Sequence, residues 1–143
     1  MENEYMRLAL NEAALAEASG DVPVGAVIVR KGVVIAKAHN TREKDMNALC
    51  HAEISAINSA CRYLENWRLD DCDLYVTLEP CFMCSGAIVQ SRIRRVFFGA
   101  YDTEYGYMAS NYVPGIKLPE CYCGIMEEEC KTVLNKFFER LRQ

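Results

Sequence analysis

The chain has no apolar run approaching the roughly 18 residues needed to cross a membrane, so a membrane span is not expected. Its first twenty residues are interrupted by Glu2, Glu4, Arg7, Glu12 and Glu17, and no secretory signal is expected either. Positive charge is not in excess: 16 Lys and Arg against 20 Asp and Glu leave a net charge of -4. That balance argues against holding nucleic acid by bulk charge alone, while local basic patches stay open. Internal repeats, low-complexity tracts and Gly/Ser/Pro-rich linkers are also missing. With 143 residues, 51% of them apolar, residues 1–143 read as one domain whose core can carry the fold without disulfides or a structural metal.

Cysteine, by contrast, is plentiful, with eight in the chain. Without a secretory signal the protein is expected to be cytoplasmic and its thiols reduced. Some of these cysteines are then expected to bind metal or do chemistry, while Cys61, Cys72 and Cys130, in apolar surroundings, read as small core residues.

The spacing of Tyr5, Leu8, Ala9, Leu15 and Ala16 predicts a helix from Glu4 to Ser19, stopped by Gly20. Two Val/Ile-rich runs, Val24 to Arg30 and Val33 to His39, flank Lys31-Gly32 and read as a hairpin. After a polar loop from Asn40 to Asn47, Asn47 is expected to cap a helix beginning near Ala48, with Ile54, Ile57, Cys61 and Leu64 on its inner face. Leu74 to Leu78 reads as a third strand. It runs through Glu79-Pro80 into a helix from Cys81 to about Gln90, with Pro80 suited to the first turn. Val96 to Gly99 reads as a fourth strand and Tyr101 to Pro119 as a long loop. Cys121 and Cys123 suit a further short strand. A last helix from Glu127 places Cys130, Val133, Leu134, Phe137, Phe138 and Leu141 on one face. Strands alternating with helices after a hairpin indicate an α/β sandwich around a mixed sheet.

Chemistry-bearing residues gather at element ends: Asn40 closing a strand, His51-Ala52-Glu53 at one helix start, and Pro80-Cys81-Phe82-Met83-Cys84 at another. Cys81 and Cys84 are three apart, so both thiols share one face of a first helical turn, where the helix dipole favours thiolates. His51 and Glu53 diverge by roughly 200° in a helix interior and can address one point only from a helix end. Two helix starts aimed at one spot would supply one His and two Cys, leaving the fourth tetrahedral position to water, as in a catalytic zinc site. A redox Cys-x-x-Cys pair is one alternative. A closed structural zinc site, with Cys50, Cys121 or Cys123 as fourth ligand, is another, and Asn40 also suits a simple chain turn.

His-x-Glu followed by Pro-Cys-x-x-Cys is the signature of zinc nucleobase deaminases. The chain resembles the cytidine/deoxycytidylate deaminase superfamily, and within it the bacterial tRNA-specific adenosine deaminases, over nearly its whole length. The resemblance is carried by Val22-Pro23-Val24-Gly25-Ala26-Val27, His51-Ala52-Glu53-Ile54, Asn66-Trp67-Arg68-Leu69, Leu74 to Cys81, Ser91-Arg92-Ile93 and Phe137-Phe138. It implies a three-layer α/β/α sandwich around a mixed sheet of about five strands, and one zinc ion per chain held by His51, Cys81 and Cys84. It also implies hydrolytic removal of an exocyclic amine as ammonia, with Glu53 moving the protons. Asn40, the backbone beside Ala52, Asp102 and Tyr105 are implied as substrate contacts, in a homodimer.

Two segments depart from the family pattern. Asn47-Ala48-Leu49-Cys50 stands where Asp-Pro-Thr-Ala is usual, and Glu104 stands where Lys is common. Tyr101, Tyr105 and Tyr107 can stack on bases or fill a smaller pocket. The expected substrate is the wobble adenosine in a tRNA anticodon arm. The alternatives are a free nucleobase or nucleoside and, from another class, a non-catalytic zinc-binding protein of the same fold. Arg92, Arg94 and Arg95, with Lys131, Lys136, Arg140 and Arg142 on the tail, are the candidate phosphate contacts.

Overall fold

In the computed structural model, which describes residues 1–143, the elements run α1 (Glu4–Ala18), β1 (Gly25–Arg30), β2 (Val33–His39), α2 (Ala52–Leu64), β3 (Cys72–Leu78), α3 (Phe82–Gln90), β4 (Arg95–Ala100), β5 (Glu120–Tyr122) and α4 (Glu127–Leu141). Helix α1 begins where Asn3 Oδ1 accepts the backbone N–H groups of Tyr5 and Met6, two of the donors a helix start leaves unpaired. The β1–β2 hairpin turns through Lys31 (φ 51°) and Gly32 (φ 76°), two left-handed residues as a tight hairpin turn requires.

The sheet order is β2-β1-β3-β4-β5. Strand β1 is antiparallel to β2 and β3, while β3, β4 and β5 are mutually parallel. Side-chain alternation splits the core in two. Ala26, Ile28, Leu74, Val76, Val96 and Phe98 pack against Ala52, Ala56, Ile57 and Ala60 of α2 and Ile88 of α3. Val27, Val29 and Tyr75 point the other way, onto Met6, Ala9 and Leu10 of α1 and Cys130 and Leu134 of α4. The result is the expected three-layer sandwich, with α2 and α3 side by side on one face. On the other face Tyr75, Phe97 and Tyr122 are paired in register and stack at 4.4 and 4.8 Å between ring centroids. The Phe97–Tyr122 pair ties the short β5 to the sheet at about 0.5–1.5 kcal/mol beyond area burial. No helix is long and apolar enough to cross a membrane.

Four local expectations are corrected. Helix α2 starts at Ala52, not near Ala48: Asn47 Oδ1 accepts the Leu49 N–H in a local turn, and the Cys50 carbonyl is taken by the Thr41 N–H, which closes the loop on itself before the helix begins. Pro80 lies one residue ahead of the α3 cap, outside the first turn. Cys72 and Cys130 are buried, but Cys61 is half-buried, its thiol directed at the Trp67 carbonyl. The inner stripe of α4 is narrower than expected, because Phe138 and Leu141 are exposed.

Candidate active site

The two helices on one face of the sheet present their N-termini to a common point. His51 is the N-cap of α2 and Cys81 the N-cap of α3, and neither side chain bonds to its own helix. Both are therefore free to face a ligand. Cys84, buried in the first turn of α3, completes the group. His51 Nδ1 lies 3.7 Å from Cys81 Sγ and 3.6 Å from Cys84 Sγ, and the three donor atoms lie within 4.8 Å of one another. Zinc–sulfur bonds of about 2.3 Å and a zinc–nitrogen bond of about 2.0–2.1 Å at a tetrahedral angle place S and N about 3.6 Å apart. The donor set fits zinc. Cys50, Cys121 and Cys123 are free and lie outside the cluster, so no fourth protein ligand closes the site. A redox pair alone would leave the histidine unexplained.

Proton affinities in the group are split. Cys81 is pulled down to about 4, first by the Cys84 thiol hydrogen-bonded to it, then by His51, against the opposing effect of burial. Cys84 is pushed far up by its hydrogen bond to Cys81, by burial and by the nearby Glu53. His51 is raised by its contact with Cys81. Glu53, in the first turn of α2 and only 4% exposed, is raised to about 7 by burial and secondarily by Cys81, while its own backbone N–H, His51 and the Cys84 thiol pull it back. It adjoins the donor cluster without being one of its members.

The remaining expected residues surround this point unevenly. Buried Asn40 directly follows β2, its Oδ1 accepting the Arg42 N–H and its Nδ2 donating to the Val22 carbonyl. The turn role is real, yet one amide N–H and one lone pair stay unused. Ala52 is fully buried as the first residue of α2. Asp102 Oδ1 accepts the N–H groups of Glu104 and Tyr105, so this carboxylate shapes its own loop. Of the three tyrosines, Tyr101 packs edge-on against Phe98 and Tyr107 against Tyr112. Tyr105 is exposed and has no aromatic partner. Arg94 and Arg95 both fork onto Asp73 at the start of β3, one strand length from Cys81, and Arg92 lies over Trp67 at that same end. These arginines are not the nearest basic groups to the site. Exposed Arg42, close enough to oppose protonation of His51, lies nearer. Sequence reasoning also missed Glu79, a buried carboxylate two residues before Cys81 whose partners lie some thirty residues further on. No local pattern announces them.

Residues 1–100 match the family model of the cytidine and deoxycytidylate deaminase zinc-binding region. The chain belongs to this deaminase family. It is a zinc-dependent hydrolytic enzyme of the nucleobase deaminase class. The deaminase is 45% identical over 144 residues to the tRNA-specific adenosine deaminase of Bacillus subtilis strain 168, with 97% of this chain and 89% of that one covered. A solved structure from a study of A-to-I editing by tRNA deaminases at the wobble position of transfer RNA is similar at TM-score 0.89 and 41% identity, covering 93% of this deaminase and all of that chain. Guanine deaminase from Bacillus subtilis is similar at TM-score 0.67 and 39% identity, over 73% of this chain and 68% of that one.

Proposed function

We propose that this deaminase converts the wobble adenosine of tRNA to inosine, that residues 1–143 work as one domain, and that the enzyme is a cytoplasmic homodimer. The observation that carries the substrate is the 45% identity, spread over 97% of the chain, to an enzyme named for that reaction. His51, Cys81 and Cys84 are the metal ligands, one ion per chain, supported by the match of their 3.6 and 3.7 Å separations to tetrahedral zinc. When bound, zinc supplies the Lewis acidity that makes a water nucleophilic near neutral pH.

The chain's residues do the rest. Glu53 takes a proton from the attacking water and passes it to the ring nitrogen. It then carries a proton to the departing amine, so that water is consumed, ammonia leaves and a carbonyl replaces the amine. Asn40 holds the base edge through the N–H and lone pair its turn leaves over. The N–H of Ala52, at the first position of α2, has no acceptor within the helix and is available to the substrate. Asp102 sets the loop that presents Tyr105, whose free ring offers a face for a base. The likeness to guanine deaminase supports a second reading, a free nucleobase or nucleoside as substrate. Inosine formation in an anticodon stem-loop, measured beside ammonia release from adenine, adenosine and guanine, separates them. Inosine in the stem-loop at low enzyme concentration is expected. Rapid turnover of a free base without any inosine would overturn the tRNA reading.

A further inference from the structure

The Glu79 carboxylate is 2% exposed, yet it lies in no helix and forms no ion pair. Its partners all come from one loop. Oε1 accepts the Asp102 N–H (3.1 Å) and the Ser110 hydroxyl (2.6 Å), while Oε2 accepts the N–H groups of Ala109 (2.7 Å) and Ser110 (2.8 Å). The next two residues hold the middle of that loop: the Pro80 carbonyl accepts the Tyr107 N–H at 2.9 Å, and Cys81 forms an isolated antiparallel bridge with Gly106. Gly106 is where the loop closes on the carboxylate. A Cβ there would lie 2.4 Å from Glu79 Cδ, 2.5 Å from Oε1 and 2.4 Å from the Asp102 carbonyl oxygen.

We propose that Glu79 is a positioning residue: its carboxylate gathers both ends of the 101–110 loop and lashes it to the segment bearing Cys81, fixing where Tyr105 stands relative to the metal ligands. The inference rests on the reading of that loop as a wall of the substrate site. A carboxylate suits the task because it is acceptor-only and offers lone pairs to all four donors at once. Glutamine cannot replace it. Turned either way, its NH2 meets at least one backbone N–H, and a buried donor is left unpaired. Ser110 adds the one side-chain bond, and Gly106 supplies the missing volume.

The test compares Glu79→Gln, Gly106→Ala, Ser110→Ala and the double variant Glu79→Gln/Gly106→Ala. It reads amide hydrogen exchange in residues 101–110, zinc content, and KM and kcat separately. Expected for Glu79→Gln is exchange in the loop faster by about tenfold or more, with β1, β3 and α2 amides as protected as before and one zinc retained per chain. KM should rise by about tenfold while kcat changes by less than about threefold. Gly106→Ala should reproduce this, the double variant should add little to either single change because the loop is already released, and Ser110→Ala should move the same readouts less. Should Glu79→Gln fail to fold, Ser110→Ala and Gly106→Ala decide the matter alone. Exchange and zinc are read without substrate, so the clamp is judged even if tRNA proves wrong, and KM is then read on the base that is turned over. Loop protection and KM unchanged in Gly106→Ala and Ser110→Ala would overturn the proposal. So would uniform loss of protection across the whole protein with KM unmoved.

Discussion

Gly25 opens β1 where the strand crosses beneath α1, and the contact there leaves no room for a side chain. A Cβ at this position would lie 1.9 Å from the Ala9 carbonyl oxygen, 2.6 Å from the Ala13 nitrogen and 2.8 Å from Glu12 Cβ. Two of these three are backbone atoms of one helix, so no rotamer change relieves the clash. Relative to an ordinary contact of about 3.4 Å, α1 must move away by about 1.5 Å, opening its packing onto Val27 and Val29. Overpacking of this kind costs about 1–3 kcal/mol, and a rigid backbone neighbour places Gly25→Ala at the upper end, near 3 kcal/mol. For a chain of this length that is a fall in Tm of roughly 9–12 °C at about 3–4 °C per kcal/mol. The displacement also reaches the site. Glu12 moves with α1 and holds His39 Nδ1 at 3.0 Å, His39 pairs with Gly25 across the hairpin, and Asn40 follows. Urea and thermal unfolding of Gly25→Ala beside Gly20→Ala, where a Cβ at φ 84° meets nothing within 4 Å, separates steric clash from backbone strain. Gly20→Ala should cost about 1 kcal/mol. A Gly25→Ala protein within 1 kcal/mol of the parent would refute the reasoning about how closely α1 and β1 approach.

Glu53→Gln should keep one zinc per chain and lower kcat by about 10²–10⁴-fold, checked by metal analysis and single-turnover kinetics; loss of zinc would make Glu53 a ligand. Asp73 gives a pH dependence of known sign. Burial raises its pKa, but the Arg95 and Arg94 guanidinium groups outweigh that and hold it below the ordinary value. Its stabilising contribution is complete above the unfolded-state value of about 3.9 and is lost as pH falls through the lower folded-state value. The acid limb of Tm against pH should therefore flatten in Asp73→Asn, and an unchanged limb would contradict the pairing. If tRNA is the substrate, log(kcat/KM) on an anticodon stem-loop should fall linearly with log salt, and Arg42→Ala should reduce that slope more than Arg94→Ala.

What the sequence made legible was whatever depends on spacing. The two thiols at Cys81 and Cys84 fall on a helix start because Pro80 stops regular structure ahead of them, and the pair at His51 and Glu53 falls near one because the polar loop ends at Asn47. The alternation of β1 likewise places Val27 and Val29 opposite Ala26 and Ile28. Features that depend on a distant partner were not legible. Asn47 makes the same local hydrogen bond in a turn as in a helix cap, and only Thr41 claiming the Cys50 carbonyl decides between them. Arg94 and Arg95 adjoin the third helix in sequence, but the parallel β3–β4 pairing carries them to the far end of the sheet beside Asp73. Glu79 reads as a residue on the way to Pro80 until the 101–110 loop folds back on it. Phe138 and Leu141 continue the helical period of α4, but no neighbouring element covers them and both stay exposed, unlike Phe137.

X-ray absorption at the zinc edge of the purified enzyme tests the central claim most directly, because it counts the ligands that define this as an open, hydrolytic site. The account predicts one zinc per chain with two sulfur ligands at about 2.3 Å and two nitrogen or oxygen ligands at about 2.0–2.1 Å, from Cys81, Cys84, His51 and a solvent oxygen. A shell with three or four sulfur ligands would contradict it, since a further cysteine would then close the site to water.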